Sequence, residues 1–134
     1  MITITKLDHV VLRCRDFDAM LSFYRDLLGC PLERSEPDLG LYQLRAGDAL
    51  IDLVPVNSQL GQEGGRAPDR DAHNVDHICV RVSPFDGQAI LDWLDRQGIG
   101  HGGIERRNGA EGFGPSIYID DPDGNRLELK GPAE

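Results

Sequence analysis

The sequence predicts an α+β fold built from two tandem copies of one βαβββ module. The stretch LDHVVLRCRDFD at residues 7–18 returns without a gap as VDHICVRVSPFD at residues 75–86, with Asp, His, Arg, Phe and Asp identical at matching places. Farther along, LYQLRAGDALIDL at residues 41–53 aligns with IYIDDPDGNRLEL at residues 117–129. Each copy has the pattern of a strand, a helix and three short strands, so the repeat and the hydrophobic pattern indicate the same architecture.

The first module is predicted to span about residues 4–56. Its residues 4–14 are apolar and often β-branched, as expected of a strand. Asp16 or Asp18 then offers an N-cap for a helix that ends near Gly29, a residue suited to a left-handed C-terminal position. Turn signals divide the remainder into three short strands, near residues 32–34, 41–45 and 49–54.

The second module is predicted over about residues 75–131, after a Gly-rich polar linker at residues 57–74. A strand reaches to about Val82, and a helix follows that is capped by Ser83 or Asp86 and closed by Gly98. Three more strands are expected near residues 103–107, 116–120 and 126–129. With 134 residues and 40% hydrophobic content, the two modules suffice for a single packed domain over residues 1–134.

Charge and composition exclude several classes of partner. The formal net charge is −9, from 23 acidic and 14 basic residues, and no cluster of Lys and Arg suggests binding to nucleic acid. No apolar stretch approaches the roughly 20 residues that a membrane helix needs. The first residues lack the features of a signal peptide, and the three cysteines have no CxxC spacing. A reduced, cytoplasmic protein is therefore expected.

Each module carries a histidine on its first strand and an acid on its last strand: His9 with Asp52, and His77 with Glu128. A repeated core needs repeated apolar residues, whereas buried ionisable groups cost free energy unless they are paired or bind a ligand. Two imidazoles with one or two carboxylates suit Zn, Ni, Fe(II), Mn or Co, and leave coordination positions open for substrate. The sequence thus predicts a divalent metal site; the alternative is that the four side chains pair with one another without a metal.

Two arginines repeat with the histidines. Arg13 and Arg81 each follow a histidine by four residues, so each is expected on the same strand face as that histidine. Guanidinium groups at the rim of a cleft would bind an anionic substrate such as a carboxylate or a phosphonate. The alternative is that both arginines pair with surface acids.

Two tyrosines and one cysteine are weaker candidates. Tyr42 and Tyr118 match in the repeat, each ten residues before an acid; Tyr42 is expected in the core, and Tyr118 as a hydroxyl in the cleft. Cys79 shares the strand face of His77, and a buried, inert thiol is the expectation.

These stretches resemble the vicinal oxygen chelate superfamily, which includes glyoxalase I, fosfomycin-resistance thiol transferases, extradiol dioxygenases and bleomycin-resistance proteins. The resemblance covers nearly the whole chain and is carried by LDHVVL, FYRDLLG, ALIDL, VDHICV and DPDGNRLEL. It implies that the modules form a cupped, mostly antiparallel sheet, with helices on the outer face, around a divalent metal chelated by two substrate oxygens. It also implies a homodimer, in which a site is often built from modules of both subunits.

Position by position, the resemblance makes His9, His77 and Glu128 metal ligands. Asp52 falls where bacterial glyoxalase I has a Glu that binds the metal and serves as base. The Asp side chain is one methylene shorter than Glu and so departs from the glyoxalase pattern. The positions of a metal ligand and a base are sensitive to small displacements. Arg13 falls where glyoxalase I binds a glutathione carboxylate.

The resemblance supplies no counterpart for Arg81 and places Tyr118 and Ser116 near the fosfomycin site. It implies a metal-dependent enzyme, foremost a glyoxalase I-like lyase or isomerase that acts on a small anionic substrate with vicinal oxygens. In that enzyme Asp52 or Glu128 would move the proton. The alternatives are an extradiol-type Fe(II) dioxygenase, a thiol transferase of the fosfomycin-resistance type, and a non-catalytic protein that binds a drug or metabolite. Bleomycin-binding members lack the metal ligands that this chain keeps.

Overall fold

The computed structural model describes residues 1–134, which form two compact units, Met1–Asp69 and Arg70–Glu134. The first unit contains β1 (His9–Cys14), α1 (Phe17–Leu21), a π-helix that continues it (Ser22–Leu27), β2 (Leu32–Glu36), β3 (Leu41–Ala46), β4 (Ala49–Pro55) and α2 (Gln59–Glu63). The second contains β5 (Ile78–Arg81), α3 (Gly87–Arg96), β6 (Glu105–Arg107), β7 (Gly114–Asp120) and β8 (Arg126–Lys130). None of these helices has the length and apolar character needed to span a bilayer.

Each unit builds one four-stranded sheet with the same topology. The strand orders are β1-β4-β3-β2 and β5-β8-β7-β6. The first and last strands of each module pair in parallel, and the other neighbours pair antiparallel. The predicted α+β class and the tandem βαβββ modules are confirmed.

The helix ends follow the repeat. Asp16 and Asp86 are the N-caps, and each carboxylate accepts a hydrogen bond from the backbone N–H three residues later at 3.1 Å. Gly29 and Gly98 follow the helices with φ of 76° and 70°, in the left-handed region that glycine adopts without strain. The DPDGN segment at residues 121–125 forms a turn, in which the Asp121 carboxylate accepts backbone N–H groups.

The structure differs from the prediction mainly in the first module and the linker. The first strand begins at His9 rather than at residue 4, because its pairing with β4 starts at His9 opposite Leu50. The apolar residues before it, Ile2, Ile4 and Leu7, are exposed. The first helix changes to a π-helix after Leu21, a change that apolar spacing does not reveal. The predicted linker also contains α2.

The pleat of each sheet separates the core from the candidate site. On β4, Ile51 and Leu53 are buried on one face, while Asp52 points to the other. On β8, Leu127 and Leu129 are buried on one face, and Glu128 points to the other. The core of each unit is completed by apolar side chains of its helices and neighbouring strands: Met20, Phe23, Tyr24 and Leu44 in the first, and Leu94, Ile117 and Ile119 in the second.

Candidate metal centre

In the second module, the predicted ligands His77 and Glu128 lie together. The Nε2 atom of His77 is 3.1 Å from Oε2 of Glu128. Cys79 is opposite Glu128 in the parallel pairing of β5 with β8, so His77, two residues earlier, lies on the same face. The other oxygen of Glu128, Oε1, accepts a 2.6 Å hydrogen bond from the hydroxyl of Ser116. Glu128 is only 4% exposed, and both its oxygens therefore have protein partners.

The second nitrogen of His77 is fixed by its neighbour. Nδ1 is 2.7 Å from Oδ2 of Asp76, and this hydrogen bond holds the pKa of Asp76 below its usual range. An imidazole that donates from Nδ1 to a carboxylate keeps its Nε2 lone pair for an ion. The ring of Tyr118 meets the imidazole edge to face, with 5.6 Å between ring centroids. This module thus brings its histidine, acid and tyrosine together, and their roles in binding a metal or a substrate stay a prediction.

In the first module the matching residues, His9 and Asp52, have different hydrogen-bond partners. Asp52 is 2% exposed, and its Oδ2 accepts a hydrogen bond from Nε2 of Gln43 at 3.2 Å. Its Oδ1 is buried and has no hydrogen-bond partner. His9 Nδ1 is 2.7 Å from Oδ1 of Asp8, and the pKa of His9 is raised, first by this hydrogen bond and further by the charge of Asp52, against partial desolvation.

The donor set fits a divalent metal ion. A buried carboxylate oxygen without a partner costs about 1–3 kcal/mol, and an ion ligated by Oδ1 of Asp52 would remove that cost. The structure contains no group of three or more His, Cys, Asp or Glu side chains arranged to hold a metal ion. Each module offers one histidine and one carboxylate, so the predicted four-residue set requires both modules.

Strand register corrects the predicted match between Tyr42 and Tyr118. Tyr118 is opposite Glu128, whereas the residue opposite Asp52 is Gln43. A shift of one residue moves a side chain to the other face of a sheet. Tyr42 accordingly lies half-buried on the face opposite Gln43, with its ring centroid 4.3 Å from that of Phe17, and Gln43 is the structural counterpart of Tyr118.

The two predicted substrate arginines have partners within the protein. The guanidinium of Arg13 donates to the backbone carbonyls of Gly61, Gly65 and Arg66, and so ties β1 to the segment around the end of α2. Arg81 Nε lies 3.1 Å from Oε2 of Glu111. An anionic substrate would have to displace these contacts, so a substrate role for either arginine stays a prediction.

A cleft of about 500 Å³ opens beside His77 in the second module, and sequence reasoning missed two of its arginines. Arg107 and Arg126 line it together with His77 and Tyr118. The Arg107 guanidinium lies 5.9 Å from the Tyr118 ring centroid, and a hydrogen bond with Tyr118 is the main cause that raises its pKa. Arg107 has no matching residue in the first module, so the repeat could not reveal it. Arg126 lies two residues before Glu128 and therefore on the same strand face, which the sequence could have indicated.

Cys79, on β5, is exposed rather than buried. Partial desolvation, and then the charge of Glu128 and a hydrogen bond with it, raise the pKa of Cys79 to about 11. The expectation of a buried thiol is wrong; the expectation of low reactivity agrees with this pKa, because the thiolate is the nucleophile.

This pKa gives a first testable prediction. At pH 7.5, Cys79 should react with iodoacetamide more slowly than a free thiol with a pKa of about 8.5. Glu128→Gln should accelerate the reaction, because removal of a nearby negative charge lowers the thiol pKa. Mass spectrometry of the peptide that contains Cys79, across a pH series, measures both rates. A wild-type midpoint near 8.5 would contradict the described contact with Glu128.

Tandem βαβββ modules with a paired histidine and acid define the class of protein. The model of the Glyoxalase/Bleomycin resistance protein/Dioxygenase superfamily matches residues 6–129, and the chain belongs to this superfamily. The metallothiol transferase FosB of Staphylococcus epidermidis is a relative, 25% identical over 126 residues that cover 94% of this chain and 81% of FosB.

Solved structures agree with this assignment. Virulence protein STM3117 from Salmonella typhimurium is 26% identical with a TM-score of 0.79, over 98% of this chain and all of that one. Lactoylglutathione lyase from Agrobacterium tumefaciens is 22% identical with a TM-score of 0.68, over 96% of this chain and 94% of the lyase. At that identity the second likeness concerns the fold alone.

Proposed function

We propose that the protein is a metal-dependent enzyme that acts on a small anionic substrate with vicinal oxygens. In this proposal His9, Asp52, His77 and Glu128 hold one divalent ion (Zn, Ni, Fe, Mn or Co), supplied by one chain or by two subunits of a homodimer. The observation that carries it is the buried Oδ1 of Asp52, which has no protein partner and lies in the module that also supplies His9.

The two acids are suited to different tasks. Glu128 has both oxygens engaged, by Ser116 and by His77, so it is held in one orientation. Asp52 has one oxygen held by Gln43 and one without a protein partner, Oδ1, which in this proposal binds the ion. We therefore assign ligand anchoring to Glu128, and Asp52 would act as the base only with Oδ1 released from the ion. When bound, the ion would polarise substrate oxygens and stabilise negative charge that develops on them.

The cleft of the second module supports an anionic substrate. Tyr118 offers a hydroxyl, and Arg107 and Arg126 offer guanidinium groups along the same cleft. Arginine binds carboxylates and phosphonates through paired N–H groups, which gives both charge and direction. Unlike Arg13, these two arginines line the cleft, but Arg107 donates to Glu105 at 2.5 Å, so an anionic substrate would have to displace that carboxylate.

A lyase or isomerase of the glyoxalase I type is the leading reaction class. Moving a proton next to vicinal oxygens requires a base close to the metal centre, and Asp52 is the acid with a free oxygen. Thiol transfer is the second candidate. It is supported by the relative FosB, a metallothiol transferase by name, together with the arginine-lined cleft.

Elemental analysis of protein purified without chelator, followed by a substrate panel, tests the proposal. The panel contains methylglyoxal with glutathione, fosfomycin with thiols, and catechols under oxygen. About one divalent ion per chain, with turnover of the first substrate pair, is the expected result. Absence of metal binding under any loading condition would contradict it, and turnover of fosfomycin alone would favour the transferase.

A further inference from the structure

We propose that Ser116 and Gln43 are positioning residues that each hold one oxygen of an acid, so that the acid turns its other oxygen to the ion. The inference rests on the proposed function. Ser116 donates to Oε1 of Glu128 at 2.6 Å, and Gln43 donates to Oδ2 of Asp52 at 3.2 Å. The remaining oxygens are Oε2 of Glu128, which faces His77 at 3.1 Å, and Oδ1 of Asp52, which has no partner.

Burial makes these hydrogen bonds decisive for orientation. Ser116 has no exposed surface, and Glu128 and Asp52 are 4% and 2% exposed. Water therefore cannot readily replace the hydroxyl of Ser116. A short hydrogen bond to a carboxylate is charge-assisted and about twice as strong as a neutral one. Ser116 consequently restricts rotation of the Glu128 carboxylate about χ3, a torsion whose distribution is otherwise broad.

The two modules reach the same arrangement with unlike residues. In each, the donor comes from the strand that pairs antiparallel with the strand of the acid: β3 for β4, and β7 for β8. Gln43 lies directly opposite Asp52, whereas Ser116 lies diagonal to Glu128, two residues from Tyr118. Different side chains at different register positions thus meet one requirement, which is the orientation of the acid.

The consequence concerns the coordination of the ion. A carboxylate with one oxygen engaged by the protein is a monodentate ligand, and one with both oxygens free can bind an ion through two. If Asp52 and Glu128 each supply one oxygen, the pair occupies two positions instead of up to four. Two imidazoles and two oxygens then leave room for a substrate that binds through two oxygens of its own. Ser116 and Gln43 in this way preserve the open positions that catalysis requires.

Metal titration of chelated protein tests this inference without reference to activity. Ser116→Ala removes the hydroxyl, and Gln43→Met removes the amide donor while keeping a side chain of similar length. Each should weaken binding of Zn²⁺ or Ni²⁺ by about 10–100-fold, the usual effect of losing a partner of a metal ligand. Ser116→Thr keeps the hydroxyl and should stay within about threefold of wild type.

Ser58→Ala is the matched control, because the Ser58 hydroxyl is part-buried and caps α2 but contacts neither acid. It should leave metal affinity unchanged. Thermal unfolding of the metal-free variants shows that each is folded, and Gln43→Met decides the matter if Ser116→Ala does not fold. Wild-type affinity in both Ser116→Ala and Gln43→Met would overturn this inference alone. A wild-type protein that binds neither ion would overturn the proposed function as well.

Discussion

Replacing His77 by Ala should remove the divalent ion and abolish turnover. The change deletes a proposed ligand and leaves Glu128 with Ser116 and Cys79 as its partners. Loss of a direct ligand should exceed the 10–100-fold loss that follows removal of a ligand's partner, so we expect affinity to fall by more than about a hundredfold. Elemental analysis after gel filtration and the substrate panel measure the two effects.

His73→Ala is the control for this experiment, because His73 is an exposed loop histidine outside the repeat. It should keep both metal and turnover. Unchanged metal content and unchanged ligand affinity in His77→Ala would favour a non-catalytic binding protein of the same fold. Loss of stability without any metal dependence would instead favour the alternative in which the histidines and acids only pair with one another.

Replacing Asp52 by Asn should have opposite effects on the metal-free and the metal-loaded protein. Without metal, the variant buries a neutral amide in place of a charge. Gln43 can still donate to the amide oxygen, and the NH2 group that replaces Oδ1 costs less to bury unpaired than a charged oxygen does. We expect the free energy of unfolding to rise by about 1–2 kcal/mol, which corresponds to roughly 4–7 °C in Tm for a chain of this size. With metal, the variant should lose affinity and turnover, because a proposed ligand and base is gone.

Thermal unfolding of chelated and metal-saturated samples measures both effects in parallel. Asp48→Asn removes one negative charge at the exposed turn between β3 and β4 and serves as the matched control. It should change the free energy of unfolding of neither the chelated nor the metal-saturated protein by more than about 0.5 kcal/mol. A chelated Asp52→Asn protein that is less stable than wild type, or that binds metal as tightly, would contradict the role given to Asp52.

The sequence allowed the modules and the ligand-type pairs to be predicted because the repeat preserves them. His9 and His77 recur with their neighbours, and Asp52 and Glu128 lie on last strands with the same apolar alternation. For each helix the sequence left two candidate N-cap residues, because the geometry of a cap depends on the backbone conformation that leads into the helix.

Contacts between neighbouring strands were not predictable, because they depend on register. An alignment without a gap matched Tyr42 to Tyr118, although Asp52 lies nine residues after its strand partner and Glu128 lies ten after its own. That one residue decides which side chain shares a face with each acid. The hydrogen bonds from Gln43 and Ser116 were hidden for the same reason.

The central claim is that the histidine and acid of both modules bind one ion. Diffraction at the absorption edge of the bound metal tests it directly, in crystals of protein loaded with Zn²⁺ or Ni²⁺. The account predicts one anomalous peak per chain, bonded to His9 and His77 together and to Glu128, with Asp52 at the same ion. Separate peaks at the two pairs, or an ion bound to only one module, would contradict it.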